Sequence, residues 1–356
     1  MMLAGTFSNT DIRKAISSGE IISRAEISDV QVQPSSLDLT IGRKIWCLPY
    51  SSIPQGRIED YLDGKKSDVE DKDETYLHKR VLYVAEINEE LRLPGDVEGK
   101  SEPKSSTGRI DVHVRLLTQG GQAYDQVRPG YNGKLFLEIF SKTFDLKIKS
   151  GTSLNQLRLS DNGCEFLSKS RLEELCTDQR VIFTGDGKAI SPDEFLEDDS
   201  ISMTLDLSGD NPGYIGRDDA PPLDLSRFDH GLLKYFDVPK VFDEGLVTRP
   251  GAFYLLRSRE RVRIPRRYGG EMVSMETNLG EFRAHYAGFF DPGFNARAVL
   301  EVRNIGGSPF LLRHGQRIAN LKLLRLKTKP SIIYGRGIGS NYQGQQLNPG
   351  KYFKAI

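Results

Sequence analysis

Four residues in the stretch PKSSTGRIDV have side chains suited to gripping an anion: Lys104, Ser105, Ser106 and Arg109. A turn with hydroxyls and free N–H groups binds oxyanions, and a guanidinium takes phosphate oxygens two at a time. The motif alone leaves two readings open, a phosphate cradle or a serine-rich turn that satisfies its own backbone beside a surface arginine. A second candidate is Glu138 in KLFLEIF. Strand alternation places Leu135, Leu137 and Ile139 on one face and Phe136, Glu138 and Phe140 on the other. If that face is covered, desolvation raises the carboxyl pKa and suits it to general base work; an ion-paired glutamate at an interface is the alternative. Tyr131 and Phe294, each just after Pro-Gly, offer rings to stack on a sugar or to anchor a hairpin. His78, His113, His230, His285 and His314 form no HExxH, and neither HxE…PCxxC nor a P-loop, GxGxxG or GxSxG occurs.

The elements that position these groups are mostly strands. VLYVAEI, VHVRLL, KLFLEIF and LKIKS alternate with Pro, Gly, Asn and Asp. SNTDIRKAISSGE predicts a short helix capped by Ser8 or Asn9, with Ile12, Ala15 and Ile16 on its apolar face and Gly19 after it. Residues 168–179 predict a second helix. The 35 glycines and 17 prolines suit a turn-rich β protein.

The pattern also repeats. LYVAEINEELRLPGDVEG matches FYLLRSRERVRIPRRYGG at an offset of 171, and PGYNGKLFLEI matches PGFNARAVLEV at an offset of 163. Gly151, Leu157 and Leu159 match Gly315, Leu321 and Leu323 at 164, and SSLDLTIG pairs with MTLDLSG at 168. Blocks in one order at nearly one offset predict a tandem duplication of a β domain. The polar segment 183–200 sets the expected boundary: a first domain over 1–190, a second over 191–333 and a C-terminal arm over 334–356. The arm, with YGRGIGSNYQGQQ, predicts flexibility by its composition.

The 49 basic and 49 acidic residues balance, which argues against broad nucleic-acid binding but not against a small anion. Three unpaired cysteines fit a reducing compartment, and no apolar run is long enough to span a bilayer. These features predict a cytoplasmic protein with no membrane and no nucleic-acid partner.

Taken together, PSSLDLTIG, PKSSTGRIDV, PGYNGKLFLEI, SGTSLNQLRL, YAGFFDPGFNARAVLEVRN, HGQRIANLKL and GSNYQGQQ resemble the dCTP deaminases of the dUTPase-like superfamily, in their long, internally duplicated form. The resemblance implies a mainly β fold of tandem jelly-roll or β-barrel domains with a few short helices. It implies a homo-oligomer, a trimer above all, with sites between subunits. It further implies conversion of dCTP and water to dUTP and ammonia without zinc, Mg2+ arriving on the triphosphate, and dTTP as a possible inhibitor. By the same resemblance Glu138 activates the water and Ser105 helps orient it. Lys104, Ser106, Arg109 and Gln156 serve the phosphates, Tyr131 packs on deoxyribose, and Tyr342 and Gln345 belong to an arm that folds over the nucleotide. Departures exist: Arg128 stands where the second copy has Asp291, and METNLGE replaces KSSTGR in the second copy. Glu301 and Asp291 are therefore reserve catalytic candidates. A dUTP pyrophosphatase, an enzyme performing both reactions, and a non-catalytic nucleotide sensor are the rival readings.

Overall fold

The computed structural model describes residues 4–63, 69–273, 282–284, 288–335 and 338–354. The chain is mainly β and forms two compact units. The first comprises Met1–Cys164, Pro221–Phe228 and Leu326–Ile332, and the second Glu165–Ala220, Asp229–Arg325 and Ile333–Ile356.

In the first unit, helix α1 (Asn9–Ser17) starts at Ser8, whose side chain caps the helix while Asp11 accepts from the Ser8 N–H. Ile12 and Ala15 are its buried face. The strands are β1 (Leu37–Leu39), β2 (Ile41–Leu48), β3 (Leu82–Arg92), β4 (Val97–Pro103), β5 (Val112–Thr118), β6 (Gln126–Val127), β7 (Asn132–Ser141) and β8 (Asn155–Asp161). One sheet contains the order β2–β3–β7–β5, and a second runs β1–β8–β4–β6. Leu135, Leu137 and Ile139 of β7 are all 0% exposed, as the alternation predicts. The opposite face is also covered: Phe136 belongs to a cluster with Trp46, Leu48, Val84, Leu117 and, from the helix Ile58–Asp63, Ile58 and Leu62.

The second unit has helix α2 (Lys169–Gln179) and strands β9 (Ser200–Asp206), β10 (Phe253–Arg263), β11 (Tyr268–Val273), β12 (Asn295–Asn304) and β13 (Arg317–Arg325). Its pairing repeats that of the first unit. Leu137 lies opposite Ala85, and Leu300 opposite Leu256. Leu157 lies opposite Ser101, and Leu321 opposite Met272. The Pro-Gly-aromatic turns match as well: Tyr131 N–H donates to Arg128 and Phe294 N–H to Asp291, with Gly130 at φ 69° and Gly293 at φ 90°, a backbone region that favours glycine.

The register corrects one expected alignment. Leu37 pairs with Leu157 as Ile201 pairs with Leu321, so the offset there is 164 rather than 168. Thr40 then corresponds to Thr204, and each donates its N–H and hydroxyl to a glutamate of the long strand, Glu89 and Glu260. The Leu-Asp-Leu likeness is a coincidence of strand composition. Asp206 has a different task, held by Arg257, Arg297 and the Ser208 N–H and hydroxyl.

The domain boundary falls earlier than residue 190. Leu172, Leu175 and Cys176 of α2 enter the second unit's core, and Ile182 pairs with Val262, so the polar 183–200 segment is an excursion within that unit. Two later segments return to the first unit. Leu223 pairs with Leu146, and Lys327 N–H donates to Thr6.

The arm is not a loose tail within the described residues. Tyr342 is buried in the second unit's core, and Gln345 Nε2 donates to the Arg297 carbonyl at 3.1 Å. Gln343 bonds to both Asn295 and Gly293. Further on, Tyr352 and Phe353 are buried, and the Phe353 ring lies 5.4 Å from those of Tyr235 and Phe236. Glycine-rich composition therefore allowed the turns between anchoring aromatics rather than disorder.

Two outcomes follow from this packing. Glu89 is fully buried and accepts from Thr40 N–H, Thr40 hydroxyl and Gln31 amide. Glu89→Ala strands those donors and is expected to cost about 3 kcal/mol, read as a lower denaturant midpoint; a loss below about 1 kcal/mol contradicts a structural role. Truncation after Ile333 removes Tyr342, Tyr352 and Phe353 from buried positions, so thermal unfolding of the truncated chain is expected to begin well below that of the full chain. An unchanged melting curve would show the arm to be dispensable for the fold.

Candidate active site

Glu138 is held at the middle of β7, opposite Val84 of β3 and Arg115 of β5. It is 6% exposed, because the face it shares with Phe136 is roofed by the aromatic cluster and by two loops. From the loop after β2, Ser51 Oγ donates to Glu138 Oε2 at 2.7 Å. From the loop after β5, the Tyr124 hydroxyl lies 2.6 Å from Ser51 Oγ and 3.4 Å from the same carboxylate oxygen. The Arg115 guanidinium sits over the Tyr124 ring, 4.8 Å from its centre. Burial pushes the Glu138 carboxyl above its ordinary pKa, against the opposing pull of Ser51, Arg115 and Tyr124. A carboxylate so placed is a stronger base than an exposed one and can take up a proton and give it back.

Both loops are pinned. Ser52 Oγ donates to Tyr61 of the helix Ile58–Asp63. Gly120 N–H donates to the Gly56 carbonyl, joining the two loops. Asp125 accepts from Leu116 N–H and Ser101 Oγ at the end of the second loop. The Tyr131 hydroxyl accepts from Gln119 N–H and donates to the Lys134 carbonyl, so this ring, 1% exposed, anchors the hairpin and the loop that carries Tyr124.

The KSSTGR stretch folds as one helical turn, Ser105–Gly108, rather than an open turn. The backbone closes on itself through Gly108 N–H to Lys104 and Arg109 N–H to Ser105. Ser106 and Arg109 are buried, and Ser105 is half-buried. The Lys104 ammonium is ion-paired with Asp38. Asp38 lies directly opposite Gln156 in the β1–β8 ladder, and Ser36 Oγ donates to Gln156 Oε1 at 3.1 Å. Lys104 and Gln156 are thus brought to one polar sheet face.

Glu138 lies elsewhere in this unit. Arg115 opposes it, whereas Val112, the β5 residue nearest the helical turn, opposes Ser141. Three strand residues separate the two ends by about 10 Å. Tyr342 and Gln345 lie in the second unit. So do the reserve candidates: Glu301 is 1% exposed on β12 opposite Leu255, and Asp291 is 8% exposed in the Pro-Gly turn. The METNLGE segment and His285 fall outside the described residues. No group of three His, Cys, Asp or Glu side chains is placed to hold a metal ion among the described residues.

Ser51, Tyr124 and Arg115 were not singled out by the sequence. Ser51 and Tyr124 sit in loops far apart along the chain with no motif of their own. Arg115 carried a usable signal, since it shares a strand face with His113, but only the ladder register sets it opposite Glu138.

The family described as 2′-deoxycytidine 5′-triphosphate deaminase, N-terminal domain, matches residues 3–163, and the C-terminal domain of the same description matches residues 168–353. A protein of Corynebacterium glutamicum (strain R) named dCTP deaminase, dUMP-forming, is 34% identical over 106 residues, covering 29% of this chain and 56% of that protein. One of the same name from Parafrankia sp. is 38% identical over 107 residues, covering 29% and 53%. The chain spans about half the length of the curated relatives it matches. The crystal structure of 2′-deoxycytidine 5′-triphosphate deaminase from Agrobacterium tumefaciens superposes with a TM-score of 0.84 and 32% identity, over 92% of this chain and 99% of that one. With both of its halves matched in order by the two domains of one description, this chain belongs to the dCTP deaminase family.

Proposed function

We propose that the chain deaminates dCTP hydrolytically to dUTP and ammonia, with Glu138 as the base. The observation that carries the reading is Glu138 itself: a buried carboxylate with raised pKa, one oxygen tied to Ser51 and the other accepting from no described side chain or backbone group. In this reading Glu138 takes a proton from water as the oxygen bonds to C4. The tetrahedral centre then collapses as the same carboxyl hands a proton to the departing amine. The C4–N bond breaks and ammonia leaves, and the proton remaining on the new hydroxyl passes to ring N3 as the C4 carbonyl forms. Ser105 and the adjacent backbone orient the water. Arg109, Ser106, Lys104 and Gln156 hold the triphosphate, supplying binding energy remote from the reacting carbon. For Lys104 this means exchanging Asp38 for phosphate.

Because the helical turn adjoins the start of β5 while Glu138 lies opposite its middle, about 10 Å along the strand, the reading places a complete site between copies of the chain. A homotrimer is the assembly proposed, with the Tyr342–Gln345 arm closing the site; Tyr131, 1% exposed, serves the site as the hairpin anchor rather than at the sugar. Mg2+ enters with the triphosphate, and the reading assigns it no protein ligand and no zinc. Inhibition by dTTP and a cytoplasmic setting belong to the same proposal.

The names of the relatives, dUMP-forming, favour a second reading in which dUTP is hydrolysed further to dUMP and pyrophosphate. Arg128 occupies the hairpin position of the first unit, and Asp291 offers a carboxylate in the second. Incubation with dCTP and Mg2+ separates the readings. Ammonia with dUTP supports deamination alone, ammonia with dUMP and pyrophosphate supports both steps, and binding without product supports a sensor.

Glu138→Gln is expected to abolish ammonia release while dCTP still binds with near wild-type affinity, as calorimetry would report. Wild-type turnover in that variant moves the assignment to Glu301. Arg109→Ala is expected to weaken dCTP binding at least tenfold, since a charge-assisted contact to phosphate contributes about 1.5–3 kcal/mol, and to leave deoxycytidine binding nearly unchanged. Equal loss for both ligands shows a structural arginine.

A further inference from the structure

We propose that Ser51, backed by Tyr124, is a positioning residue that orients the Glu138 carboxylate and leaves Oε1 as its reacting oxygen. This rests on the deaminase reading above and extends it to residues outside the family motifs.

The geometry is asymmetric. Ser51 Oγ and Tyr124 Oη both approach Oε2, at 2.7 and 3.4 Å, and no described side chain or backbone group donates to Oε1. Each hydroxyl has one proton to give. With the serine proton committed to Oε2, the Tyr124 proton goes to Ser51 Oγ, 2.6 Å away. The result is a short relay, tyrosine to serine to carboxylate, in which each bond polarises the next. A carboxylate fixed through one oxygen cannot rotate to present both, so the oxygen left to meet water is determined.

The relay is itself held. Ser51 lies one residue before Ser52, which is tied to Tyr61. Tyr124 precedes Asp125, which is tied to Leu116 and Ser101. The Arg115 cation over the Tyr124 ring favours the ring's place at the lip of the site.

The charged and titratable groups facing Glu138 come from every element around it. β5 supplies Arg115 and, two residues away on the same face, His113. β3 supplies Glu86, which is already paired with Arg24 and Lys134. The short helix supplies Tyr61, and the second loop supplies Tyr124. Ser51 stabilises the ionised carboxylate and so pulls its raised pKa downward. Removing Ser51 lets that pKa climb further. A base must be ionised to act, so the acid limb of the rate profile moves to higher pH.

The test is the pH dependence of ammonia release from dCTP by the full-length chain, for wild type, Ser51→Ala, Ser51→Thr, Tyr124→Phe and Glu138→Gln. Ser51→Ala is expected to lower kcat about tenfold at neutral pH, shift the acid limb up by about one pH unit and leave KM for dCTP near wild type. Ser51→Thr restores both. Tyr124→Phe gives a smaller shift in the same direction. Ser51 is an exposed loop residue, and an unchanged denaturant midpoint confirms that the variants fold. If Glu138→Gln is inactive but Ser51→Ala keeps wild-type kcat and pH profile, the positioning role is overturned alone. If Glu138→Gln still releases ammonia, the reading beneath it falls and the positioning role falls with it.

Discussion

Covering both faces of one strand is the constraint on which this site depends. β7 alternates Leu135, Leu137 and Ile139 with Phe136 and Glu138, and all five are buried. An ordinary half-exposed strand would place a glutamate at 138 in water, where its pKa is unremarkable. Here the aromatic cluster, the short helix and two loops close over the second face. The cost of desolvating the carboxylate is then offset only in part, by one short hydrogen bond and a nearby arginine. That residual imbalance is what suits the group to the base role proposed for it.

The duplication shows how one scaffold is kept while its chemistry drifts. The ladders of the two units share a register down to the break in the long central pair. The buried bonds from threonine to Glu89 and Glu260 occur in both, because each satisfies a glutamate at that break. Elsewhere the polar groups diverge. Glu86 of the first unit is held by Arg24 and Lys134, whereas Arg257 and Arg297 of the second clamp Asp206, whose carboxyl is held well below the ordinary carboxylate range because the Ser208 hydroxyl and N–H, with the two arginines, outweigh its burial. The scaffold contacts repeat because the register demands them, while the contacts around the chemistry are free to change.

Much of this was legible in the sequence. Alternation put Glu138 on one face with Phe136 and Phe140 and left open whether that face is covered, and the offsets of 171, 163 and 164 anticipated the paired registers. Four things were not legible. The Leu-Asp-Leu alignment was off by four residues because strand composition is degenerate and only hydrogen-bond register separates the alternatives. The domain boundary was drawn in the most polar segment, although α2 before it already packs in the second unit. The arm looked loose because composition does not reveal that Tyr342, Tyr352 and Phe353 find buried places. The loop residues Ser51 and Tyr124 were invisible for a related reason: their meeting is a property of two turns closing on one another.

The most direct test of the account is a crystal structure of the Glu138→Gln chain with dCTP and Mg2+ bound. The account predicts cytosine C4 within about 4 Å of the residue 138 side chain, on its Oε1 side and across from Ser51, with one water between them. The triphosphate should rest against Arg109 of a neighbouring copy. Cytosine bound beside Glu301 instead, or C4 separated from residue 138 by the width of the aromatic cluster, would contradict it.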